Sequence, residues 1–183
     1  MSKSISNLKF KKVTDAALQL LVNAKVTKVP IDVLRIARLS GVVVEQTDLG
    51  DDVSGLLVIH DRQAVIAYSP NQGEQRKRFT IAHELGHYIL HNQDSSDAVF
   101  VDKDFIVKYR SQKAYSEIEM RQEQEANAFA ASLLMPKELI FEELKNDKLQ
   151  NMSEIQVIDE LARIFDVSIP AMTFRLSNLN ILY

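Results

Sequence analysis

Cysteine is absent from the 183 residues of this sequence, which excludes disulfides, thiolate metal sites and a cysteine nucleophile. Any metal site must therefore use histidine, aspartate or glutamate side chains. No apolar run approaches the roughly 20 residues of a membrane-spanning helix, and residues 1–13 lack the apolar segment of a signal peptide. We therefore expect a cytoplasmic protein without membrane contact, a location that the absence of cysteine permits.

A strong excess of charge of one sign is also missing. The 22 basic and 25 acidic residues leave a formal net charge of −3, which predicts no sequence-wide affinity for nucleic acid or anionic lipid. Apolar residues make up 46% of the chain and charged residues 26%, as in ordinary soluble globular proteins. We expect residues 1–183 to form a single domain, in which residues 153–183 are a helical subregion.

The most informative stretch of the chain contains the pattern His83-Glu84-x-x-His87. On an α-helix, residues four apart lie about 40° apart around the axis, so His83 and His87 could reach the same metal ion. Glu84 would lie beside the pair, close enough to take a proton from the attacking water without binding the metal itself. Two surface histidines beside an unrelated glutamate are the alternative, but the five-residue pattern is typical of zinc hydrolases.

A catalytic zinc ion usually has three protein ligands, so a third ligand is expected elsewhere in the chain. His91 continues the four-residue spacing, but it lies about 12 Å from His83 along a helix, too far to share one ion. We expect His91 to support the site or to end the helix. His60 falls in a predicted hairpin turn, where a solvated side chain is expected.

A second long helix, predicted from Ser116 until Pro136 ends it, offers the carboxylates Glu119, Glu123 and Glu125. At about 100° per residue, Glu123 lies on the same side as the apolar face, whereas Glu125 projects away from it. A buried carboxylate is costly without a partner, and a metal ion is such a partner. We therefore expect Glu123 to be the third ligand, with Glu125 as the alternative. Asn127, on the same side as Glu123, could orient a ligating side chain.

The remaining patterns predict an α+β fold with a small antiparallel or mixed sheet of about three strands. Helices are predicted near 15–24, 30–40, 137–145, 153–165 and 167–178, and strands at 42–45, 54–60 and 63–68. In the irregular region 92–116, the runs 98–101 and 105–109 could be short strands or extended loop. The hairpin before the active helix could offer an edge strand to an extended peptide, or it could be an ordinary part of the core sheet.

Two stretches together carry a resemblance to a known family: RFTIAHELGHYILH over 78–91 and EQEANAFAASLLMP over 123–136. They resemble the ImmA/IrrE family of bacterial and phage metallopeptidases. The resemblance implies a zincin-like α+β domain with a ligand-bearing second helix and a helical carboxy-terminal region. In it, His83, His87 and Glu123 match the zinc ligands and Glu84 the general base. It further implies endopeptidase activity towards a helix-turn-helix repressor, often encoded beside the peptidase, whose cleavage relieves repression.

The resulting hypothesis is zinc-dependent peptide hydrolysis, in which Glu84 takes the proton of the attacking water and passes it to the leaving amine. A further group should stabilise the oxyanion. Four side chains are candidates for that role: Tyr88, His91, Tyr109 and Tyr115. Zinc is the expected ion, although two histidines and a carboxylate also accept other divalent metals.

Two other classes of function stay open. Residues 161–176 have the rhythm of a helix-turn-helix, the motif of a DNA-binding regulator. However, residues 153–183 contain four acidic and two basic side chains, a net charge of −2, whereas a DNA-reading helix needs cations. We therefore expect no DNA binding there, but a helical cap or a repressor-docking surface. The remaining class is a non-catalytic binding module that retains the metal site.

Overall fold

The computed structural model describes residues 7–50, 52–92, 96–103 and 116–181. The helices α1 (Asn7–Asn23) and α2 (Val33–Leu39) precede the first three strands, and α3 (Glu74–His87) follows them and continues into one π-helical turn (Tyr88–Asn92). The strands are β1 (Val42–Gln46), β2 (Val53–His60), β3 (Gln63–Tyr68) and β4 (Ala98–Lys103). The later helices are α4 (Glu117–Leu134), α5 (Lys137–Glu143), α6 (Asp147–Gln150), α7 (Glu154–Phe165) and α8 (Ile169–Asn178).

The strands form one mixed sheet with the order β1-β3-β2-β4. β1 runs parallel to β3, whereas β2 runs antiparallel to both β3 and β4. The predicted α+β class with a small mixed sheet is confirmed. The fourth strand is Ala98–Lys103, which includes a run for which the sequence left strand and loop open. The other such run, 105–109, lies outside the described residues.

β2 and β3 form the predicted hairpin, and its turn residues Asp61 and Arg62 have the positive φ angles, 48° and 63°, of a tight hairpin turn. Neither strand lies at an edge of the sheet, because β4 pairs with the other side of β2 and β1 with the other side of β3. Of the two interpretations of the hairpin, an edge strand for a peptide is therefore wrong and an ordinary part of the core sheet is right. Within the described residues, the edges are β1 and β4.

α3 lies between the sheet and α4. Leu57 of β2, Ile66 of β3 and Leu85 of α3 are fully buried members of one core, which seals α3 against the sheet. This burial explains why the helix holds its position: each such side chain stabilises the fold by about 1.5–3 kcal/mol relative to an exposed one.

On its other side, α3 approaches α4 closely at Gly86. A Cβ atom at Gly86 would lie 3.0 Å from Phe129 Cδ1 and 3.2 Å from Ala126 Cα. The surface of α4 that faces Gly86 is the predicted apolar face, and its residues Ala126, Phe129 and Ala130 are fully buried. Because the backbones approach so closely, polar side chains that flank the contact on each helix come within reach of one another.

Arg78 of α3 joins three separate segments of the chain. Its guanidinium donates to the carbonyl oxygens of Ile31 at 2.9 Å, Phe165 at 3.3 Å and Asp166 at 3.2 Å, and the Asp166 carboxylate lies 3.3 Å away. Burial lowers the pKa of Arg78. The side chain thus fixes the end of α7, and the loop before α2, to the middle of α3.

A second arginine fixes α8 to the end of α4. Arg175 is only 3% exposed, and its Nε donates to the carbonyl oxygen of Met135 at 3.0 Å. Burial lowers its pKa to about 10, so the side chain is still a cation at neutral pH. In the part of the chain that the structure describes, no helix has the length and apolarity needed to cross a membrane.

Candidate metal centre

His83 and His87 lie one turn apart on α3, at its buried side, with 2% and 3% of their surfaces exposed. Their Nε2 atoms approach to 3.1 Å, and the two rings meet edge to face at an interplanar angle of 74°. Two ring nitrogens can share this distance only when a proton or a cation lies between the lone pairs, since imidazole accepts on one nitrogen and donates on the other.

Glu123 completes the cluster from α4. Its Oε2 lies 3.6 Å from His83 Nε2 and its Oε1 3.4 Å from His87 Nε2, and one donor atom of each residue lies within 4.8 Å of the others. The Glu123 side chain is 26% exposed, whereas those of the histidines are 3% and 4% exposed. The cluster is therefore open to solvent on the side of the carboxylate.

The donor set fits a divalent cation. Donors placed about 2.0–2.1 Å from a tetrahedral ion lie about 3.3–3.4 Å from one another. The separations in the cluster, 3.1, 3.4 and 3.6 Å, bracket that spacing. Two imidazoles and one carboxylate are also the donors that zinc accepts in hydrolytic sites. The structure brings together the three residues that the sequence singled out as ligands.

Asn127 lies against His83, as its position on α4 led us to expect. The Asn127 amide oxygen, Oδ1, is 3.0 Å from His83 Nδ1. When Nδ1 donates its proton to this oxygen, the Nε2 lone pair faces the cluster, which is the tautomer that a metal ligand needs. The contact also links α3 to α4 one helical turn away from Glu123.

Glu84 is fully buried and faces β2. A Cβ atom at Gly55 of β2 would lie 3.0 Å from Glu84 Oε1 and would collide with Thr80 Cγ2. Gly55 therefore leaves the space that the carboxylate of Glu84 occupies. Sequence reasoning did not single out Gly55; a glycine inside a strand run, which often marks a close approach, is the signal that could have found it.

Glu125 lies apart from the cluster and faces His91. Its Oε2 is 3.6 Å from His91 Nε2, and its Oε1 is 3.9 Å from Arg121 Nε. The π-helical turn that follows α3 carries His91, whose side chain is 8% exposed, and burial lowers its pKa so that the imidazole is neutral at pH 7. The structure thus groups Glu123, not Glu125, with His83 and His87.

His60 is not part of this cluster. His60 is in the hairpin turn with 78% of its side chain exposed, as expected, and its Nδ1 lies 3.0 Å from Asp97 Oδ1. Tyr88 begins the π-helical turn and packs against the core. Tyr109 and Tyr115 lie outside the described residues.

Comparison with known proteins places these features in a family context. The family model of the IrrE N-terminal-like domain, Peptidase_M78, matches residues 37–177. No curated protein matches the chain. A solved structure described as a Mycobacterium tuberculosis transcriptional regulator is similar in fold, with a TM-score of 0.61 and 20% sequence identity. The alignment covers 91% of this chain but 46% of that one, so this chain spans just under half of that protein.

Proposed function

Because the chain belongs to the Peptidase_M78 family of IrrE N-terminal-like domains, we propose that it is a zinc-dependent endopeptidase that hydrolyses a peptide bond in a protein substrate. Family membership supports a metallopeptidase-like domain with the zincin-like α+β fold. The observation that carries the proposal is the cluster of His83, His87 and Glu123, whose donor atoms lie within 4.8 Å, with the buried Glu84 on the same helix.

In this proposal, His83, His87 and Glu123 hold the metal. The ion, when bound, would polarise the scissile carbonyl and make water more acidic. Zinc is the proposed ion because its hydrolytic sites use this donor set, and other divalent metals are chemically compatible with it. Asn127 would keep the His83 ring in the orientation and tautomer that binding requires.

Glu84 is proposed as the general base. It follows His83 directly on α3, so its side chain is rotated about 100° from that ligand, and its carboxylate lies beside Gly55 of β2. Its carboxylate would accept a proton from the attacking water and pass it to the leaving amine nitrogen. The full burial of Glu84 supports this role, because a carboxylate shielded from bulk water transfers a proton to the reacting atoms and not to solvent.

The proposed substrate is a helix-turn-helix transcriptional repressor, which the family resemblance implies. The similar Mycobacterium protein is described as a transcriptional regulator, which agrees with a place in gene regulation. Cleavage of the repressor would relieve repression. β4, which pairs with β2 on one side and forms an edge of the sheet in the described residues, is the strand on which an extended peptide could add.

We also propose that the carboxy-terminal helices belong to the same domain as the metal cluster. Arg78 bonds the end of α7 to α3, and the buried Arg175 bonds α8 to the end of α4. These contacts support a helical cap on the catalytic unit. As a result of the Arg78 contacts, the turn between α7 and α8 lies next to the amino-terminal half of α3.

Elemental analysis of the purified protein after zinc is supplied tests the metal site. We expect about one zinc per chain in the wild type, because three well-placed donors bind it without assistance. Glu123→Ala should lose most of this zinc, whereas the control Glu125→Ala, which removes a carboxylate two residues away, should retain it. A wild type that binds no zinc would overturn the proposal.

Glu84→Gln separates metal binding from chemistry. The amide keeps the shape of the side chain but cannot accept a proton, so we expect zinc content to be unchanged and cleavage to fall by about 100-fold or more. The assay incubates the zinc-loaded protein with helix-turn-helix repressors from its own genome, beginning with any whose gene neighbours its own. Cleavage by Glu84→Gln at the wild-type rate would remove Glu84 from the mechanism, and zinc binding without any wild-type cleavage would favour a binding module.

A further inference from the structure

A cavity of about 670 Å³ opens between α3, the end of α4 and the turn that joins α7 to α8. Its apolar wall is formed by Phe79, Leu134, Met135, Val167 and Ala171. The volume falls within the range of about 300–1,000 Å³ that is typical of ligand sites, and protein interiors leave few voids larger than a water molecule. The cavity is therefore large enough to receive part of another molecule.

The cavity lies on the same face of α3 as the metal-site histidines. Arg76, Phe79, His83 and His87 follow one another at spacings of three or four residues, which places them in one row along the helix. The Phe79 and His83 ring centroids are 6.1 Å apart, and the Arg76 guanidinium carbon lies 6.0 Å from the Phe79 centroid. Phe79, which lines the cavity, is thus one helical turn from His83 of the candidate metal centre.

The charged groups at the rim of the cavity are engaged with other protein groups. Glu74 lies 2.7 Å from Lys77 Nζ, and the Asp166 carboxylate lies 3.3 Å from Arg78 Nε. Arg76 donates to the hydroxyl of Ser54 at 2.9 Å. The two carboxylates are thus paired with cations and Arg76 is held by a neutral hydroxyl, so the largest continuous contact surface that the cavity offers is its apolar wall.

We propose that this cavity is a specificity subsite of the peptidase, which binds a large apolar side chain of the substrate near the scissile bond. The inference rests on the proposed function, because the cavity is read as a continuation of the metal centre. An extended peptide advances about 3.4 Å per residue, so the 6.1 Å between the Phe79 and His83 rings corresponds to about two residues. Leucine, methionine or phenylalanine about two positions from the cut would bury its side chain against Phe79 and Ala171.

Cleavage of a randomised peptide library by the zinc-loaded protein tests the subsite. We expect a preference of about tenfold or more for leucine, methionine or phenylalanine over glycine or serine at one position, two or three residues from the cut. Ala171→Phe should abolish this preference by filling the cavity. Thr173→Leu is the matched control, because it adds an apolar side chain to an exposed position of α8 that does not line the cavity.

A second variant and a binding measurement distinguish a blocked cavity from a misfolded protein and from a loss of catalysis. Gln75→Trp narrows the cavity from an exposed position on α3, so it should reproduce the effect of Ala171→Phe if that variant does not fold. Titration with N-acetyl-leucinamide, followed by backbone amide NMR, should shift Val167, Ser168 and Ala171 in the wild type. The same titration should leave these resonances unshifted in Gln75→Trp.

The outcomes separate the subsite from the proposed function. Cleavage without an apolar preference, or a preference that both cavity variants retain, would overturn the subsite and leave the peptidase intact. The amide shifts could also vanish in the variants while the cleavage preference does not change. That result would assign the cavity to a separate small ligand and would also overturn the subsite. A zinc-loaded wild type that cleaves neither the library nor the repressor would overturn the function, and the subsite with it.

Discussion

Three glutamates on adjacent helices differ in surroundings, not in chemistry. Glu84 is fully buried beside β2, Glu123 lies between two histidines with 26% of its side chain exposed, and Glu125 lies 3.6 Å from His91. A carboxylate in a poorly solvated place needs a cation, a proton or hydrogen-bond donors nearby. The location of each side chain on its helix therefore decides which of the proposed roles, base, metal ligand or structural partner, its surroundings suit.

The space beside Glu84 depends on Gly55, and a methyl group there should be costly. In Gly55→Ala, the new Cβ would collide with Thr80 Cγ2 and lie 3.0 Å from Glu84 Oε1. We expect the free energy of unfolding to fall by about 1–3 kcal/mol, as overpacking usually causes. Displacement of Glu84 should reduce cleavage by about 100-fold while zinc content is unchanged. Urea unfolding, elemental analysis and the repressor assay measure these effects.

Gly73→Ala is the control for this substitution, because no atom lies within 4 Å of the added Cβ. Its stability should change by no more than about 1 kcal/mol, since only the start of α3 is affected. Equal losses of activity in the two variants would show that the close packing at Gly55 has no special role.

At the scale of the elements, α6 and α7 are linked through one carboxylate. Glu160 of α7 lies 2.9 Å from Arg163 Nε and 2.9 Å from Lys148 Nζ of α6. Hydrogen bonds from Arg163 and then Lys148 lower the pKa of Glu160 from its ordinary value of 4.5 to about 2. The link therefore depends on pH in a defined window.

Glu160→Gln should lower the melting temperature at pH 7, where the carboxylate is ionised in both the folded and the unfolded chain. Because the folded pKa is depressed, the contribution is fully present above pH 4.5 and is lost as pH falls towards about 2. The difference in melting temperature between variant and wild type should therefore shrink over this window, as a calorimetric series can show. Asp159→Asn, at an exposed neighbouring position, should change the melting temperature much less. A difference that is constant from pH 7 to 2 would contradict the link.

For the whole molecule, Arg78 is the side chain on which the attachment of the carboxy-terminal helices depends. Arg78→Met would leave the carbonyl oxygens of Ile31, Phe165 and Asp166 without this donor. We expect a loss of about 2–4 kcal/mol in the free energy of unfolding, and faster hydrogen exchange in residues 154–178 than in the sheet. Arg38→Met, at an exposed position of α2, is the control. Hydrogen exchange that is equally faster in the sheet and in residues 154–178 would contradict a local role of Arg78 in attaching these helices.

The carboxy-terminal helices α7 and α8 have few of the basic side chains that a DNA-binding surface requires. Among residues 153–181, Arg163 bonds to Glu160 and Arg175 is 3% exposed, so both arginines are engaged within the protein. Arg163, whose side chain is 70% exposed, is thus the one basic side chain at the surface of residues 153–181, whereas DNA binding needs several cations presented to phosphates. That the region does not bind DNA stays a prediction.

Local periodicity explains which parts of the site were predictable. His83 and His87 share a helix at a fixed spacing, and Glu123 and Asn127 follow from the phase of α4 against its apolar face. The strand order, the space at Gly55 and the cavity were not predictable, because each depends on segments far apart in sequence. The pairing of β4 with β2 and the approach of β2 to Glu84 are set by the packed core, which no local pattern encodes.

Among the described strands, β1 and β4 form the edges of the sheet, and the two edges have different consequences for aggregation. β1 is five residues long and exposes the charged Glu45, a feature that opposes pairing with the sheet of another molecule. β4, in contrast, exposes Val99, which is 64% accessible. The edge that could accept a peptide is thus the one at which intermolecular strand pairing would begin. Under the proposed function, the strand edge that would hold an extended segment of the substrate is therefore also the edge at which the protein is most prone to self-association.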